Sequence, residues 1–302
     1  MKQVLLALWV LACTPAGAQV QALDTAGRRI VLPAPAQRIV SLAPHLTELV
    51  FAAGAGDRLV AASDYSDFPP EAARLPRVAS ATGIDLERLL VLKPDLVLAW
   101  RLDATAKALD RIESLGLPLA YLEPHRLEEI PRALEVVGTL AGTEPIATRE
   151  AARLREELNR LKTKYRGAKQ IDVFYQAADR PLMTLNGRHF ISDAIRLCGG
   201  RNVFADAPLI ASPIDAEAVL AADPQVIVAA RSGTDAASGV PADTSWQAQW
   251  RRFPRMRAVR DGNLLAIDAE QMSRHGPRAI AATGKLCALL DEARSREARS
   301  PR

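Results

Sequence analysis

The sequence predicts an α/β protein of two lobes, each built on a central parallel sheet and joined to the other by one long helix. Three observations predict this fold: one segment occurs twice, short apolar runs alternate with helical stretches, and an amphipathic helix lies between the two copies. Of the 302 residues, 49% are hydrophobic and 25% charged, so the chain is large and apolar enough to bury the cores of two lobes.

The repeated segment covers residues 84–99 and 214–229, which share a pattern of residue types 130 positions apart. The second residue of each copy is an aspartate, Asp85 or Asp215, where a helix N-cap is expected, because its side-chain oxygen can accept a hydrogen bond from the first helical turn. We therefore predict that the chain consists of two related halves.

Each copy continues in the same way. A glutamate, Glu87 or Glu217, stands where a negative charge suits the positive end of the helix dipole. A proline, Pro94 or Pro224, then ends the helix, and the apolar run after it predicts a buried strand. The two glutamates are either ordinary surface acids or a matched pair of carboxylates for a partner with two-fold symmetry and paired arginines.

Continuous apolar runs elsewhere in the chain alternate with helical stretches, and this alternation predicts parallel sheets covered by helices on both faces. The runs are 38–43, 59–62, 119–122, 171–174 and 264–267.

The helix between the halves begins near Thr143 and ends before Gly167, with apolar residues at steps of three and four. At about 20 residues it is about 30 Å long, enough to bridge two lobes. We predict a first lobe at 19–142, a linker helix at 143–168 and a second lobe at 169–302.

The first 18 residues have the charged, apolar and small-residue order of a secretory signal peptide, with cleavage expected after Ala18. A lipid anchor on Cys13 is the alternative. Loss of Lys2 with this segment leaves 38 of the 39 basic residues against 35 acidic ones, a net charge of +3 that gives no reason to expect a nucleic-acid partner. The mature protein is expected to be soluble, because no later apolar run is long enough to cross a bilayer.

Cys198 and Cys287 remain after cleavage and would lie in an oxidising compartment. A disulfide between them is one interpretation, and two separately buried thiols are the other.

Residues that directly follow the predicted strands are candidates for ligand binding, since ligands of open α/β sheets lie beyond the carboxyl ends of the strands. Tyr65 and Trp100 are candidates because their rings would offer a ligand a flat apolar face with a polar edge. The alternative is that both rings pack within a lobe. His45 is a further candidate, because it precedes Thr47, which we predict as a helix N-cap on the side where the ligand is expected. The further candidates at strand ends are Arg101 and Glu270.

Metal and catalytic motifs are missing from the sequence. The four histidines His45, His125, His189 and His275 lack the close spacing of a metal site, so no metal is predicted. There is no nucleophile elbow, no phosphate-binding glycine loop with lysine, and no zinc-protease motif, so we do not expect an enzyme.

Five stretches of the sequence resemble the periplasmic cobalamin-binding proteins of ABC importers, which belong to a helix-linked class that also serves haem and iron siderophores. These are RIVSLAPHLTEL at 38–49, YSDFPP at 65–70, DLERLL at 85–90, LKPDLVLAWR at 92–101 and CGGRNVF at 198–204. The resemblance covers nearly the whole mature chain and implies a class III binding protein with two Rossmann-like lobes.

The resemblance also implies roles for individual residues. Glu87 and Glu217 fall where the family docks on arginines of a dimeric permease, and Cys198 and Cys287 where it has its one disulfide. Three departures concern the aromatic pocket: Ala81 and Ala211 stand where the best-known member has tryptophans, and Thr184 near where it has a phenylalanine. Tyr65 and Trp100 are kept, and Glu270 falls where that member has an acidic residue at the ligand.

The resemblance therefore implies a periplasmic carrier that takes cobalamin or a related corrinoid as its solute, without a cofactor of its own. The expected partners are a permease dimer and its ATPase, and the free protein is expected to be a monomer. A haem or ferric-siderophore carrier of the same class is the alternative, because the pocket has lost aromatic rings.

Overall fold

The computed structural model describes residues 19–101, 104–231 and 245–297. The predicted signal peptide, including Cys13, lies outside these ranges. The protein is α/β with two lobes joined by one long helix, as predicted. No helix within the described ranges combines the length and the apolar character that crossing a bilayer requires.

The first lobe is built on a six-stranded sheet. Its strands are β1 (Val20–Leu23), β2 (Arg29–Leu32), β3 (Ile39–Ser41), β4 (Leu59–Ser63), β5 (Arg77–Ser80), β6 (Gly83–Ile84), β7 (Leu96–Ala99) and β8 (Leu119–Tyr121). Strands β1 and β2 form a separate hairpin, and the others follow the order β6-β5-β4-β3-β7-β8. Only β6 runs antiparallel to its neighbour within this sheet.

Helices cover both faces of this sheet. They are α1 (Pro44–Ala52), α2 (Leu86–Val91), α3 (Ala106–Ser114) and α4 (Glu129–Ala141). From β3 the chain adds β4, β5 and β6 on one side of that strand, and it then adds β7 and β8 on the other side. The direction in which strands are added therefore reverses between β3 and β7. Such a switch point leaves a crevice at the carboxyl ends of the strands.

The linker helix α5 (Glu144–Tyr165) packs on both lobes, contacting α1 and α4 in the first and α6 (Phe190–Leu197) and α11 (Arg278–Glu297) in the second. Its predicted apolar face is buried, at Ala151, Leu154, Leu158, Leu161 and Tyr165. Helix α4 approaches α5 closely at Gly138, where a Cβ would overlap the Cβ of Ala147.

The second lobe holds two sheets. Its strands are β9 (Ile171–Gln176), β10 (Ala178–Asp179), β11 (Leu182–Leu185), β12 (Gly200–Asn202), β13 (Ala211–Pro213), β14 (Val226–Arg231) and β15 (Leu264–Asp268). Four strands form a parallel sheet in the order β12-β9-β14-β15, and β10, β11 and β13 form an antiparallel one.

The remaining helices of the second lobe are α7 (Ala216–Ala222), α8 (Ser245–Arg251), α9 (Arg257–Arg260) and α10 (Ala269–Ser273). A disulfide joins Cys198, at the end of α6, to Cys287 in α11. This pairing confirms the predicted bridge, and it ties the last helix to its own lobe.

The repeated segment has the same local structure in both lobes. Asp85 accepts a hydrogen bond from the amide of Arg88 at 2.9 Å, and Asp215 accepts one from the amide of Ala218 at 2.7 Å. Each helix is followed by a residue with positive φ directly before the proline, Lys93 at 47° in the first copy and Asp223 at 39° in the second. The left-handed residue turns the chain from the helix into the buried strand β7 or β14.

The prediction that Thr47 caps a helix is wrong. Helix α1 begins at Pro44, after the N-cap residue Ala43, and Thr47 lies within it. Proline at the first position favours this earlier start. The Thr47 hydroxyl instead bonds the buried hydroxyls of Ser41 at 2.6 Å and Ser66 at 3.0 Å, which joins α1 to the chain around β3 and β4.

Candidate ligand-binding cleft

A cavity of about 230 Å³ lies at the carboxyl ends of the first lobe's parallel strands, beside the switch point. Tyr65 follows β4 on its wall, Ala81 follows β5 and Trp100 follows β7, while Ile84 and Leu109 add apolar surface. We call this space the apolar cavity. All its described lining residues belong to the first lobe, and its carbon-rich wall suits a flat apolar part of a ligand.

Tyr65 is the most exposed of the cavity's aromatic side chains. The side chain is 77% exposed, and the backbone adopts φ of 60°, a left-handed conformation that is uncommon for a bulky residue. Its carbonyl accepts a hydrogen bond from the guanidinium of Arg274 at 3.0 Å. A strained residue held in place by the opposite lobe, with its ring free, is typical of a ligand contact.

Trp100 stands at the end of the fully buried strand β7 and is partly buried itself. The ring of His45 lies 5.2 Å from it in an edge-on arrangement, and the ring of His275, from the second lobe, lies 5.1 Å away. These two contacts fix the indole against the lobe boundary while it also faces the apolar cavity.

His45 is buried behind Trp100 and is not among the described residues that line the apolar cavity. Burial lowers its pKa to about 4, against a smaller raising effect from the backbone of Leu122. Its Nε2 atom, and Nδ1 of His275, have no hydrogen-bond partner among the described residues. The imidazole of His45 is therefore uncharged at neutral pH, and it packs against Trp100 as a neutral ring.

His189 and His275 continue this cluster into the second lobe. His275 packs against Phe190 at 4.4 Å and against His189 at 5.2 Å between ring centroids. Burial lowers the pKa of His189 to about 4 and that of His275 well below its usual value. Within the described ranges no group of three or more potential ligands is arranged to hold a metal ion.

A buried ion-pair network joins the lobes beneath Tyr65. The carboxylate of Glu48, in α1, accepts hydrogen bonds from Arg278 at 2.6 and 2.9 Å and from Arg274 at 3.2 Å. Arg274 also reaches Asp67 at 2.9 Å. The Glu48 side chain is only 2% exposed, so a first-lobe carboxylate is neutralised entirely by second-lobe guanidinium groups.

Glu270 and Arg101, the other predicted contacts, lie in different surroundings. Glu270 is partly exposed and lies 3.6 Å from Arg274, which places its carboxylate near the backbone of Tyr65. Arg101 instead pairs with Asp110 at 3.0 Å and donates to the Tyr121 hydroxyl at 3.1 Å, and it is not among the described lining residues of the apolar cavity.

The three positions that depart from the family pattern differ in exposure. Ala81 and Ala211 are both exposed, Ala81 on the wall of the apolar cavity. Thr184 is fully buried, and its hydroxyl donates to the carbonyl of Tyr175 at 2.9 Å. The two alanines therefore leave open space, whereas Thr184 belongs to the interior of the second lobe.

The paired glutamates Glu87 and Glu217 are exposed in the first turns of α2 and α7. Neither has an ion pair within the part of the chain that the structure describes. Beside Glu87 the same helix exposes Val91, at 79%, and Leu90, at 41%. Exposed carboxylates with free oxygens are available to external arginines.

Sequence reasoning missed Glu48, Arg278, His189 and His275 as parts of the site. One signal was present for Glu48, which is the only acid of the mostly apolar helix 44–52. The others give no local signal, because their contacts join residues that are far apart in the sequence.

Comparison with known proteins shows similarity over both lobes. The sequence profile of the periplasmic binding proteins matches residues 39–271. A vitamin B12-binding protein of Vibrio cholerae is 36% identical over 258 residues, which are 85% of this chain and 90% of that protein. One from Pectobacterium carotovorum is 37% identical over 256 residues, 84% of this chain and 88% of that protein.

Solved structures show the same fold. The periplasmic vitamin B12 binding protein of Vibrio cholerae matches with a TM-score of 0.77 at 36% identity, covering 86% of this chain and 98% of that one. The periplasmic haem-binding protein of Roseiflexus sp. RS-1, in its apo form, matches with a TM-score of 0.71 at 26% identity, covering 85% and 98%.

Proposed function

The chain belongs to the periplasmic binding protein family, whose members bind solutes for ABC importers, and we propose that its solute is cobalamin or a related corrinoid. The observation that carries this proposal is the pair of rings of Tyr65 and Trp100 on one apolar cavity at the strand ends. A corrin is a large, flat ring system, and aromatic side chains bind such surfaces through offset and edge contacts.

The exposed alanines at 81 and 211 are consistent with a large solute rather than a small one. Where an aromatic side chain would narrow the cleft, a methyl group leaves room. We propose that the corrinoid is held with fewer ring contacts than in relatives with tryptophan at these positions, and that Glu270 supplies a polar contact near Tyr65.

Capture is proposed to involve only a modest closure of the lobes. Helix α5 packs on both lobes, and the buried Glu48 is bonded to Arg274 and Arg278 across the boundary. These contacts restrain hinge motion compared with lobes connected by flexible strands. The solute would therefore enter a largely preformed cleft, and release would need the transporter.

Delivery is proposed to occur by docking of Glu87 and Glu217 on arginines of the permease dimer, whose ATPase then drives release. The two acids stand at equivalent positions of a repeated helix, one in each lobe, and both are exposed. Two matched carboxylates suit a two-fold symmetric partner. The free protein is proposed to be a periplasmic monomer that needs no cofactor.

Titration of the purified mature protein with cyanocobalamin, followed by tryptophan quenching and by calorimetry, tests the solute. We expect saturable binding at micromolar concentration or below. Tyr65→Ala should weaken it about tenfold, because a stacked ring is lost, whereas Tyr65→Phe should weaken it by less than about threefold. Absence of saturable binding by the unmodified protein would refute the corrinoid assignment.

A haem carrier is the second candidate, favoured by the exposed phenol of Tyr65 beside Trp100, since a tyrosine oxygen can ligate haem iron. Titration with haemin decides between the two. A Soret shift that Tyr65→Phe abolishes, with no binding of cyanocobalamin, would replace the corrinoid by haem. A ferric siderophore is tested in parallel by the same quenching assay.

A further inference from the structure

A second cavity, of about 400 Å³, lies between the lobes and is lined mainly by basic side chains. We call it the basic cavity. The first lobe contributes residues that follow β8, and the second contributes the loop after β11, helix α6 and Ile210 before β13. Its charged and imidazole side chains are His125, Arg126, Arg188, His189, Asp193 and Arg196.

The basic cavity carries an excess of positive charge. Asp193 is its one carboxylate among the described lining residues, and Arg196 bonds it at 2.9 Å while Arg126 lies 3.7 Å away. The backbone amide of Leu127 also donates to Asp193, at 3.1 Å. The carboxylate of Asp193 therefore interacts with two guanidinium groups and one amide. Arg126 belongs to the first lobe and Arg196 to the second.

Arg188 adds a third positive charge. Its guanidinium donates to the carbonyl of Pro208 at 2.9 Å, a neutral acceptor, and it has no ion pair within the described ranges. Arginine stays protonated at any pH that the folded protein meets, whereas burial lowers the pKa of His189 to about 4. The positive charge thus comes from arginines and persists across the neutral range.

The two cavities border the same buried histidine, His275. The ring of His189, on the wall of the basic cavity, lies 5.2 Å from the ring of His275, and the ring of Trp100, on the wall of the apolar cavity, lies 5.1 Å from the same ring. His275 therefore contacts one wall residue of each cavity, and the rings of Trp100 and His189 lie within about 10 Å of each other. A solute held between the lobes could contact both walls.

We propose that the basic cavity binds an oxyanion group of the solute, with Arg188 as its main partner, while the flat part of the solute lies against Tyr65 and Trp100. The guanidinium fork matches the geometry of phosphate and carboxylate oxygens. As a statement about the solute this rests on the proposed function: the group is the phosphodiester in a cobalamin and a propionate in haem.

The oxyanion site is tested first without any solute. Titration of the free protein with inorganic pyrophosphate, followed by NMR of the Arg188 side chain and nearby amides, should give a dissociation constant on the order of millimolar. Arg188→Ala should weaken this binding at least about fivefold, and Arg160→Ala, which removes an exposed arginine from α5, should leave it unchanged. No binding, or equal binding by Arg188→Ala, overturns the proposal.

The solute arm compares ligands with and without the anion. Arg188→Ala should lower the affinity for cyanocobalamin about tenfold and that for dicyanocobinamide, which lacks the phosphodiester, less than about twofold. Equal effects on both ligands would overturn the role of Arg188 in solute recognition. If the protein instead binds haem, the same comparison uses haemin and its dimethyl ester. Pyrophosphate binding without binding of either solute would refute the proposed function and leave the oxyanion site standing.

Discussion

The imidazole rings of His45 in the first lobe and His275 in the second lie 5.6 Å apart across the lobe boundary. Trp100 packs against both rings, and His189 packs against His275. Because burial lowers the pKa of each of these three histidines, this part of the boundary is formed by neutral imidazoles at pH 7. The positive charge of Arg274 disfavours protonation of His45 further, and a proton on His45 or His189 would disfavour protonation of His275.

The first prediction is that acid destabilises the fold. Between the usual histidine pKa of about 6.5 and the folded value of about 4, the unfolded chain binds protons that the folded chain does not, so the free energy of unfolding falls as the pH falls. For His45 alone the loss from pH 7 to pH 5 is about 2 kcal/mol. Urea unfolding at the two pH values measures it.

His275→Phe keeps a ring at the boundary and removes one buried base, so it should reduce the difference in unfolding free energy between pH 7 and pH 5. His125→Gln, at an exposed histidine, should change that difference by much less. An unchanged difference in His275→Phe would contradict the assignment of the acid sensitivity to this cluster.

The second prediction concerns the buried carboxylate at the boundary. Glu48→Gln leaves Arg274 and Arg278 without the charge that neutralises them, and we expect a loss of about 3 kcal/mol in the free energy of unfolding. Glu135→Gln removes a carboxylate that pairs with Arg155 at the surface, and it should cost less than about 1 kcal/mol. Equal losses in the two variants would argue against the network as a joint between the lobes.

The third prediction separates solute capture from delivery. Glu87→Ala combined with Glu217→Ala should abolish uptake in a reconstituted transporter and leave the affinity for the solute unchanged, because both side chains are exposed and neither lines the apolar or the basic cavity among the described residues. Glu71→Ala combined with Glu156→Ala, at two other exposed acids, serves as the charge-matched control. Uptake that persists in the double variant would reject these acids as docking residues.

Local patterns in the sequence were enough to predict the two related lobes, the capped helices of the repeat and the linker helix. Asp85 and Asp215 each accept a hydrogen bond from an amide only three residues later, so their capping role can be predicted from the neighbouring sequence. The Thr47 prediction failed because Pro44 starts the helix earlier and buried hydroxyls offered Thr47 other partners.

The joint between the lobes could not be predicted in the same way. Glu48 bonds Arg274 and Arg278, which are 226 and 230 residues away in the sequence. A local pattern of residue types does not predict which distant residues will contact each other. The apolar cavity was partly predicted, since Tyr65 and Trp100 each follow a strand of one parallel sheet. The basic cavity was not, because its arginines come from loops and from helix α6 in different lobes, which only the packing brings together.

The fourth prediction concerns the disulfide that holds α11 to α6. Cys198 and Cys287 are 89 residues apart, so the bridge restricts a large part of the unfolded second lobe. On the chain-entropy relation, Cys198→Ala with Cys287→Ala lowers the free energy of unfolding by about 5 kcal/mol, measured in urea against the oxidised protein. Since neither cysteine is among the described residues that line the apolar or the basic cavity, solute affinity in the absence of urea should change by less than about threefold. If the double variant were as stable as the oxidised protein, the tie between the two helices would rest on the packing of α6 against α11 alone.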